Sequence, residues 1–376
     1  MTHIIVGMSG GVDSSLTAAL LLEQGHSVEG LFMFNWAQDE DAYCTAAEDY
    51  AVAAQVAADL GIKLHRADFS REYRERVFAH FLDEYRRGRT PSPDLLCNRE
   101  IKFREFLDYA RQLGADAIAT GHYARLDHSG GRSRLLQAVD QNKDQTYFLA
   151  AVDGQALDHV LFPLGEFTKP QVREMAQARG LVNYQRKDST GICFIGERPM
   201  REFLSRYLTT QRGRMIDDAG HDLGEHPGLC FFTIGQRKGL GIGGQKHATD
   251  APWYVYAKDE HSATLYVTQN EQHPALNCRV AELETPHWLH EAPAAAQWRG
   301  RARIRHRQVL QDCTLELDGD AAVLSFDTPQ WAIAPGQSAV FYQDEECLGS
   351  AVIARAVPEQ GAALDVAEAG RRQNSV

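Results

Sequence analysis

Three stretches of this chain carry residue types that do chemistry. The first is Ser9-Gly10-Gly11-Val12-Asp13-Ser14-Ser15, entered through Gly7-Met8. Gly10 and Gly11 have no Cβ, so the backbone there can turn several N–H groups towards one anion. A helix starting just beyond would add the positive end of its dipole at the same place. The stretch reads as a phosphate cradle. A Walker loop needs a lysine before its Ser/Thr, and the first lysine here is Lys63; the dinucleotide fingerprint Gly-x-Gly-x-x-Gly is not matched either. Asp13, an acid beside a phosphate site, calls for a bound Mg²⁺ or for service as a helix cap.

The second stretch is Arg89-Thr90-Pro91-Ser92-Pro93-Asp94-Leu95-Leu96-Cys97-Asn98. Two prolines make it a rigid loop, expected to precede a helix capped by Asn98, and it offers an acid and a thiol three residues apart. A cysteine near a helix N-terminus with Arg99 and Lys102 close by is favoured as thiolate; the bland alternative is a small buried hydrophobe. The third stretch, Lys187-Asp188-Ser189-Thr190-Gly191-Ile192-Cys193-Phe194-Ile195-Gly196, sets a second cysteine in a polar, glycine-bounded loop. Cys44, Cys230, Cys278, Cys313 and Cys347 sit in helical or strand-like contexts and read as packing.

These stretches need elements to place them. His3-Ile4-Ile5-Val6 reads as a buried strand running into the glycine turn, followed by a helix that Gly25 stops. Strands are expected at Val28–Met33, Ile62–His65 and Ala117–Thr120, with helices over Ala46–Leu60, Glu72–Arg87 and Asn98–Leu113. Alternation of this kind implies a parallel sheet covered on both faces, with ligands at the carboxyl ends of its strands, where Met33, Gly121 and His122 fall. Near residue 205 the character changes to short, glycine-rich strands, and from about Leu276 to an all-β pattern suited to a small barrel.

At 376 residues and roughly 150 per domain, two or three domains are expected. We place them at 1–205 (α/β, parallel sheet), 206–272 (small, β-rich) and 273–376 (β-barrel). No run of about 18 apolar residues predicts a membrane span, and the N-terminus enters its strand without a basic-then-apolar leader. Seven cysteines without a Cys-x-x-Cys pair argue against a disulfide framework and against a zinc or iron–sulfur site, and point to a reducing cytoplasm. A net charge of −12 counts against simple coating of nucleic acid, yet Trp298-Arg299-Gly300-Arg301-Ala302-Arg303-Ile304-Arg305-His306-Arg307 has arginine at every second position. On a strand all five would share one face, a stripe suited to phosphates, with Gly300, Ala302 and Ile304 pointing into a barrel.

The glycine loop resembles the pyrophosphate loop (PP-loop) of the ATP pyrophosphatases, which cleave ATP between the α- and β-phosphates and adenylate a carbonyl oxygen. Ala119-Thr120-Gly121-His122-Tyr123, Asn142-Lys143-Asp144-Gln145-Thr146-Tyr147-Phe148-Leu149, Gly235-Gln236-Arg237-Lys238-Gly239 and Pro335-Gly336-Gln337-Ser338-Ala339-Val340 join the two cysteine stretches in a wider likeness. In the family's order, and over nearly the whole chain, they resemble the bacterial tRNA-specific 2-thiouridylases. The family usually has Asn-Pro-Asp where Ser92-Pro93-Asp94 stands, so a shorter side chain faces the target base here.

The resemblance implies an adenine nucleotide alpha hydrolase-like PP-loop domain that uses ATP with Mg²⁺ and binds the ATP through Gly7, Met8, Ser9, Gly10, Gly11, Val12, Asp13, Ser14, Met33 and Gly121. It implies catalysis by Cys97, Cys193 and Asp94. Cys193 would carry sulfur as a persulfide, a Cys97–Cys193 disulfide would remain after transfer, and Asp94 would do acid–base work. It implies contacts to the anticodon stem-loop of tRNA from Ser92, Pro93, Asp94, His122, Lys143, Asp144, Gln145, Arg305, His306 and Gln337. It also implies a sulfur-donor protein, either from a persulfide relay or a cysteine desulfurase. Competing readings are an amidating PP-loop ligase, which would not need two cysteines, an iron–sulfur thiolase, which would need Cys-x-x-Cys, and a non-catalytic RNA-binding module.

Overall fold

The structure is a computed structural model that describes residues 1–36, 46–187, 200–242, 249–319 and 321–358. Cys44, Cys193 and the loop around the latter from Asp188 to Gly196 lie outside the described residues.

The chain opens with β1 (His3–Gly7), α1 (Val12–Glu23), β2 (Ser27–Phe34), α2 (Ala46–Asp59) and β3 (Leu64–Asp68). Ile4, Ile5 and Val6 are all fully buried, Ile4 and Val6 in one core cluster and Ile5 in another. A strand covered on both faces explains the unbroken apolar run. With β4 (Ala117–Ala119) and, past a hairpin of β5 (Arg125–Asp127) and β6 (Arg134–Leu136), β7 (Val160–Leu161), the sheet order is β3-β2-β1-β4-β7, every pair parallel. The order reverses at β1, so the crevice at the carboxyl ends of β1 and β4 is the topological switch point where such sheets bind ligands.

The second chemical stretch corrects our expectation. Asn98 is not a cap: the helix starts five residues earlier, at Pro93, runs Pro93–Cys97, and continues through a π segment at Asn98–Glu105 into Phe106–Gln112. Proline suits a helix's first turn, where its missing N–H has no partner to lose, and Ser92 ahead of it is extended, as a residue before proline must be. Cys97 is therefore inside a helix and fully buried in the larger core cluster. The strand expected at Ile62 begins at Leu64.

A four-stranded sheet comes next, β8 (Gly213–Asp217), β9 (Asp222–His226), β10 (Tyr254–Asp259) and β11 (Thr264–Thr268), ordered β10-β11-β8-β9. The last unit comprises β12 (Asn277–Leu283), β13 (His287–Trp288), β14 (Gln297–Arg303), β15 (Gln311–Asp318), β16 (Ala321–Trp331), β17 (Ser338–Gln343) and β18 (Glu346–Val357). Pairings β12–β16–β15–β14–β17–β18 close on β12, a barrel of six strands that leaves no open edge within the ring. Ala302, Ile304, Leu315, Leu324, Phe341 and Ile353 fill its interior.

The barrel is docked on the α/β unit. β6 adds to β18 in antiparallel register, Leu135 opposite Cys347, so one sheet runs across both. Tyr147 Oη donates to Ser338 O (3.0 Å), and Thr146 Oγ1 lies 3.0 Å from Tyr342 Oη, whose residue has no exposed surface.

That docking overturns the arginine stripe. β14 ends at Arg303, and Arg307 sits in a turn at φ 67°. Gly300, Ala302 and Ile304 do face inward, but the arginines part company and acids do interleave. Arg299 pairs with Asp327 in solvent and Arg301 donates to Asp344 O (2.6 Å), while Arg303, 3% exposed, is buried against Asp144 (3.1 Å) with its guanidinium over the Tyr342 ring. Strand alternation sends a side chain out of the barrel; it does not say that a neighbouring domain covers that outer face.

Candidate active site

The glycine loop lies at the switch point between β1 and β4. Gly11 is the extended residue just before α1, and Gly10 takes φ 73°, a left-handed conformation open to glycine at little cost. Hydroxyls tie the turn to the helix: Ser14 Oγ and Ser15 Oγ donate to Gly11 O (3.1 and 3.0 Å), and Ser9 N donates to Ser14 Oγ (3.2 Å). A Cβ on Gly10 would stand 2.4 Å from Asp49 O, whereas one on Gly11 would meet only Ser9 Oγ at 3.3 Å. Close approach by a phosphate is thus available on the Gly11 side. Gly121, just past β4, packs so tightly that a Cβ there would lie 2.8 Å from Asp13 C and 2.9 Å from Ser14 N. Val12 and Met8 anchor the loop in the core below, and Met33 flanks Gly7, its Cε 3.5 Å from where a Cβ would be.

Asp13 has a role that neither sequence expectation named. Its side chain caps nothing; Oδ1 and Oδ2 accept from Lys169 Nζ (2.8 and 2.9 Å), and Oδ1 also accepts from Tyr123 Oη (2.9 Å). Lys169 is only 8% exposed and is the first residue of the helix Lys169–Ala178. A lysine at a helix N-terminus opposes the dipole, and the Asp13 carboxylate opposite offsets that misfit. Asn183 Nδ2 donates to Gly10 O and Ser15 Oγ (both 2.9 Å), and Arg186, which also pairs with Asp49, donates from Nη1 to Gly10 O (3.1 Å). Sequence reasoning missed Lys169, Tyr123, Asn183 and Arg186 as parts of this site.

The loop fits a polyphosphate: glycine backbone at a helix N-terminus, with Lys169 and Arg186 beside it, each paired with a carboxylate, Asp13 and Asp49. For a metal ion the case rests on Asp13; among the described residues no group of three His, Cys, Asp or Glu could hold one unaided.

The remaining candidates fall into two groups. Asp94, in the first turn of its helix, and Ser92 are half-buried, while Pro93 and Cys97 are buried. Asn98 Nδ2 donates to Phe148 O (2.8 Å), and the His306 ring packs on Phe148 with centroids 4.4 Å apart, so a barrel residue reaches the neighbourhood of Cys97 through two contacts. Gln337 Nε2 donates to Thr90 O (2.7 Å). His122 is buried, with Nδ1 2.7 Å from Thr120 Oγ1, and burial holds its pKa well below the usual 6.5, keeping the ring neutral. Burial also lowers the His306 pKa.

Asp144 is 1% exposed and spent within the fold, accepting from Ala138 N (3.1 Å), Thr146 Oγ1 (2.8 Å) and Arg303. Lys143 and Gln145 on either side are half-buried, and Gln145 Oε1 accepts from Tyr123 N (2.9 Å). Arg305 donates to Ala332 O (2.5 Å) and lies over the Trp331 ring.

Residues 2–197 match the family described as tRNA methyl transferase HUP domain, residues 201–269 the tRNA methyl transferase PRC-barrel domain, and residues 277–353 the aminomethyltransferase beta-barrel domain. The tRNA-specific 2-thiouridylase MnmA of Alcanivorax borkumensis is 55% identical over 355 residues, 94% of this chain and 97% of that protein. Those of Stutzerimonas stutzeri and Pseudomonas syringae pv. syringae are 54% and 53% identical, each over 95% of this chain and 96% of theirs. With the PP-loop at the switch point and the matches running end to end, this chain belongs to the tRNA-specific 2-thiouridylase family.

Proposed function

We propose that this protein is a tRNA-uridine 2-sulfurtransferase: it activates the C2 oxygen of a wobble uridine with ATP and replaces that oxygen by sulfur. The observation that carries the reading is the anion cradle at Ser9–Ser14, backed by Lys169 and Arg186, in a chain 55% identical along nearly its whole length to a 2-thiouridylase. Bound ATP supplies an adenylyl group that turns a poor leaving oxygen into a good one. The chain's part is to hold the nucleotide on the N–H groups of Gly10, Gly11 and α1, with Lys169 and Arg186 balancing charge on the pyrophosphate. Mg²⁺ would be held mainly by phosphate oxygens, with Asp13 as the carboxylate on the loop.

Ser92, Pro93 and Asp94 would meet the splayed-out base, Asp94 moving the proton. His122, Lys143, Gln145, Arg305, His306 and Gln337 would hold the anticodon stem-loop, with Asp144 working from beneath by fixing Arg303 and Thr146. Cys193 would receive sulfur from a donor protein as a persulfide. We assign 1–205 to the reaction, and 206–272 and 273–376 to holding tRNA. The free thiols at Cys97, Cys230, Cys278, Cys313 and Cys347 support a cytoplasmic setting, and among the described residues no helix is long and apolar enough to cross a membrane.

Incubation with ATP, Mg²⁺, tRNA and a sulfide source is expected to give AMP, pyrophosphate and 2-thiouridine, the last read by nucleoside mass spectrometry. ADP and phosphate as products would overturn the reading, and an amidated product would favour the ligase alternative. Lys169→Met is expected to weaken ATP binding about ten- to a hundredfold, the range for one charge-assisted hydrogen bond, and to leave tRNA affinity alone. Calorimetric titration with a non-hydrolysable ATP analogue measures this; unchanged affinity would make Lys169 a purely structural partner of Asp13.

A further inference from the structure

The segment Gly88–Thr90 is gripped by both later domains. Thr90 N donates to Pro335 O (3.0 Å), Thr90 O accepts from Gln337 Nε2 (2.7 Å), and Thr90 Oγ1 lies 2.9 Å from Thr233 Oγ1. Gly336, at φ 87°, sits so close that a Cβ would be 2.9 Å from Thr90 N. Arg89 stands 2.7 Å from Glu84 on its own domain and 2.7 Å from Glu284 at the end of β12. Lys258 of β10, 2.9 Å from Gly88 O, completes the grip; burial pushes its pKa down to about 8.

The backbone beyond Thr90 is stiff. Pro91 and Pro93 fix their φ angles, Ser92 between them is extended, and Pro93 begins the helix that carries Asp94 and Cys97. A shift at Thr90 has few soft torsions in which to dissipate before it reaches that helix.

We propose that Thr90 is a positioning residue: the contacts of Thr233, Gly336 and Gln337 on it set the place of the Pro93–Cys97 helix and keep the Cys97 thiol buried, making the barrel and the central sheet parts of the active site. A tRNA contact that turns the Gln337 side chain away from Thr90 O removes one of the holds on Thr90, so substrate binding on the barrel and exposure of Cys97 are linked. The proposal rests on the thiolase reading only in treating Cys97 and Asp94 as reactive groups.

The test uses the full chain with Thr233→Val, which keeps side-chain shape and removes the hydroxyl, and Gly336→Ala, which drives a methyl at Thr90. Cys97 alkylation by N-ethylmaleimide is tracked by peptide mass spectrometry, with Cys313, fully buried inside the barrel, as internal reference. Labelling of Cys97 is expected to quicken about tenfold, the change in local opening that one lost hydrogen bond brings, while Cys313 is unchanged. In the same variants kcat for tRNA-dependent AMP release should fall with the KM for ATP unaltered, a split that general loosening of the fold would not give. Wild-type labelling of Cys97 in both variants overturns the proposal, whatever happens to activity. Faster labelling with full AMP release supports the joint and counts instead against Cys97 and Asp94 as the reactive groups.

Discussion

Cys193→Ala is expected to abolish sulfur transfer from a persulfide donor and to leave ATP affinity intact. Electron bookkeeping assigns the two thiols different duties. If the terminal sulfur of a Cys193 persulfide attacks C2 as AMP leaves, the base is left joined to Cys193 through two sulfurs. Cys97 thiolate must then attack Cys193 Sγ, forming Cys97–Cys193 and releasing the thiocarbonyl. If Cys97 attacks first, hydrosulfide leaves and does the substitution. Both routes end in one disulfide, which two electrons from an external thiol must reduce. Cys97→Ala should therefore also stop turnover and leave the sulfur on Cys193: as a persulfide, a mass increase of one sulfur on its peptide, if Cys97 normally attacks first, or as a tRNA joined to Cys193 through two sulfurs if the persulfide attacks C2 directly. Normal thiolation by both variants would sink this chemistry whatever the fold. Because the Cys97 side chain is fully buried, either route needs its thiol to be uncovered when sulfur arrives.

Arg303→Ala is expected to destabilise the fold by about 3–5 kcal/mol, the cost of leaving one partner of a buried ion pair alone. The side chains of Arg303 and Asp144 are 4% and 0% exposed, so the carboxylate left behind has no water to turn to. Chemical denaturation gives the value, and a cycle with Asp144→Asn should show strong non-additivity. Arg299→Ala, whose ion pair with Asp327 lies in solvent, should leave the denaturation midpoint nearly unchanged. If Arg303→Ala is as stable as the parent and instead flattens the dependence of tRNA affinity on salt, the arginine faces phosphate and the buried pairing is wrong. Arg305 lies beyond the strand and is half-buried, so it remains the better candidate for tRNA contact.

The elements that depend on local order were legible from composition and spacing. Ile4-Ile5-Val6 followed by two glycines and a helix could only be a buried strand, a turn and a helix N-terminus, and the structure has that order at β1, Gly10, Gly11 and α1. Alternation along Ala302 and Ile304 likewise marked the barrel interior. Even local reading slipped at Pro93, where helix-starting proline outweighed the capping preference of Asn98.

Amino-acid order alone dictates the PP-loop, the parallel sheet that presents it and the change to β structure beyond residue 205, because period, propensity and turn chemistry act over a few neighbouring residues. Which charges meet was settled instead by the packing of distant segments. Lys169 reaches Asp13 across 156 positions, Arg303 reaches Asp144 across 159, and Gln337 reaches Thr90 across 247. No periodicity encodes such pairs. A strand's alternation settles which residues leave the barrel, but whether they enter water or the neighbouring domain depends on where β6 joins β18 and how Tyr147 and Tyr342 pack beside that seam. That is a property of two folded surfaces, and it turned an expected row of phosphate contacts into one buried ion pair, one surface ion pair and two bonds to backbone carbonyls.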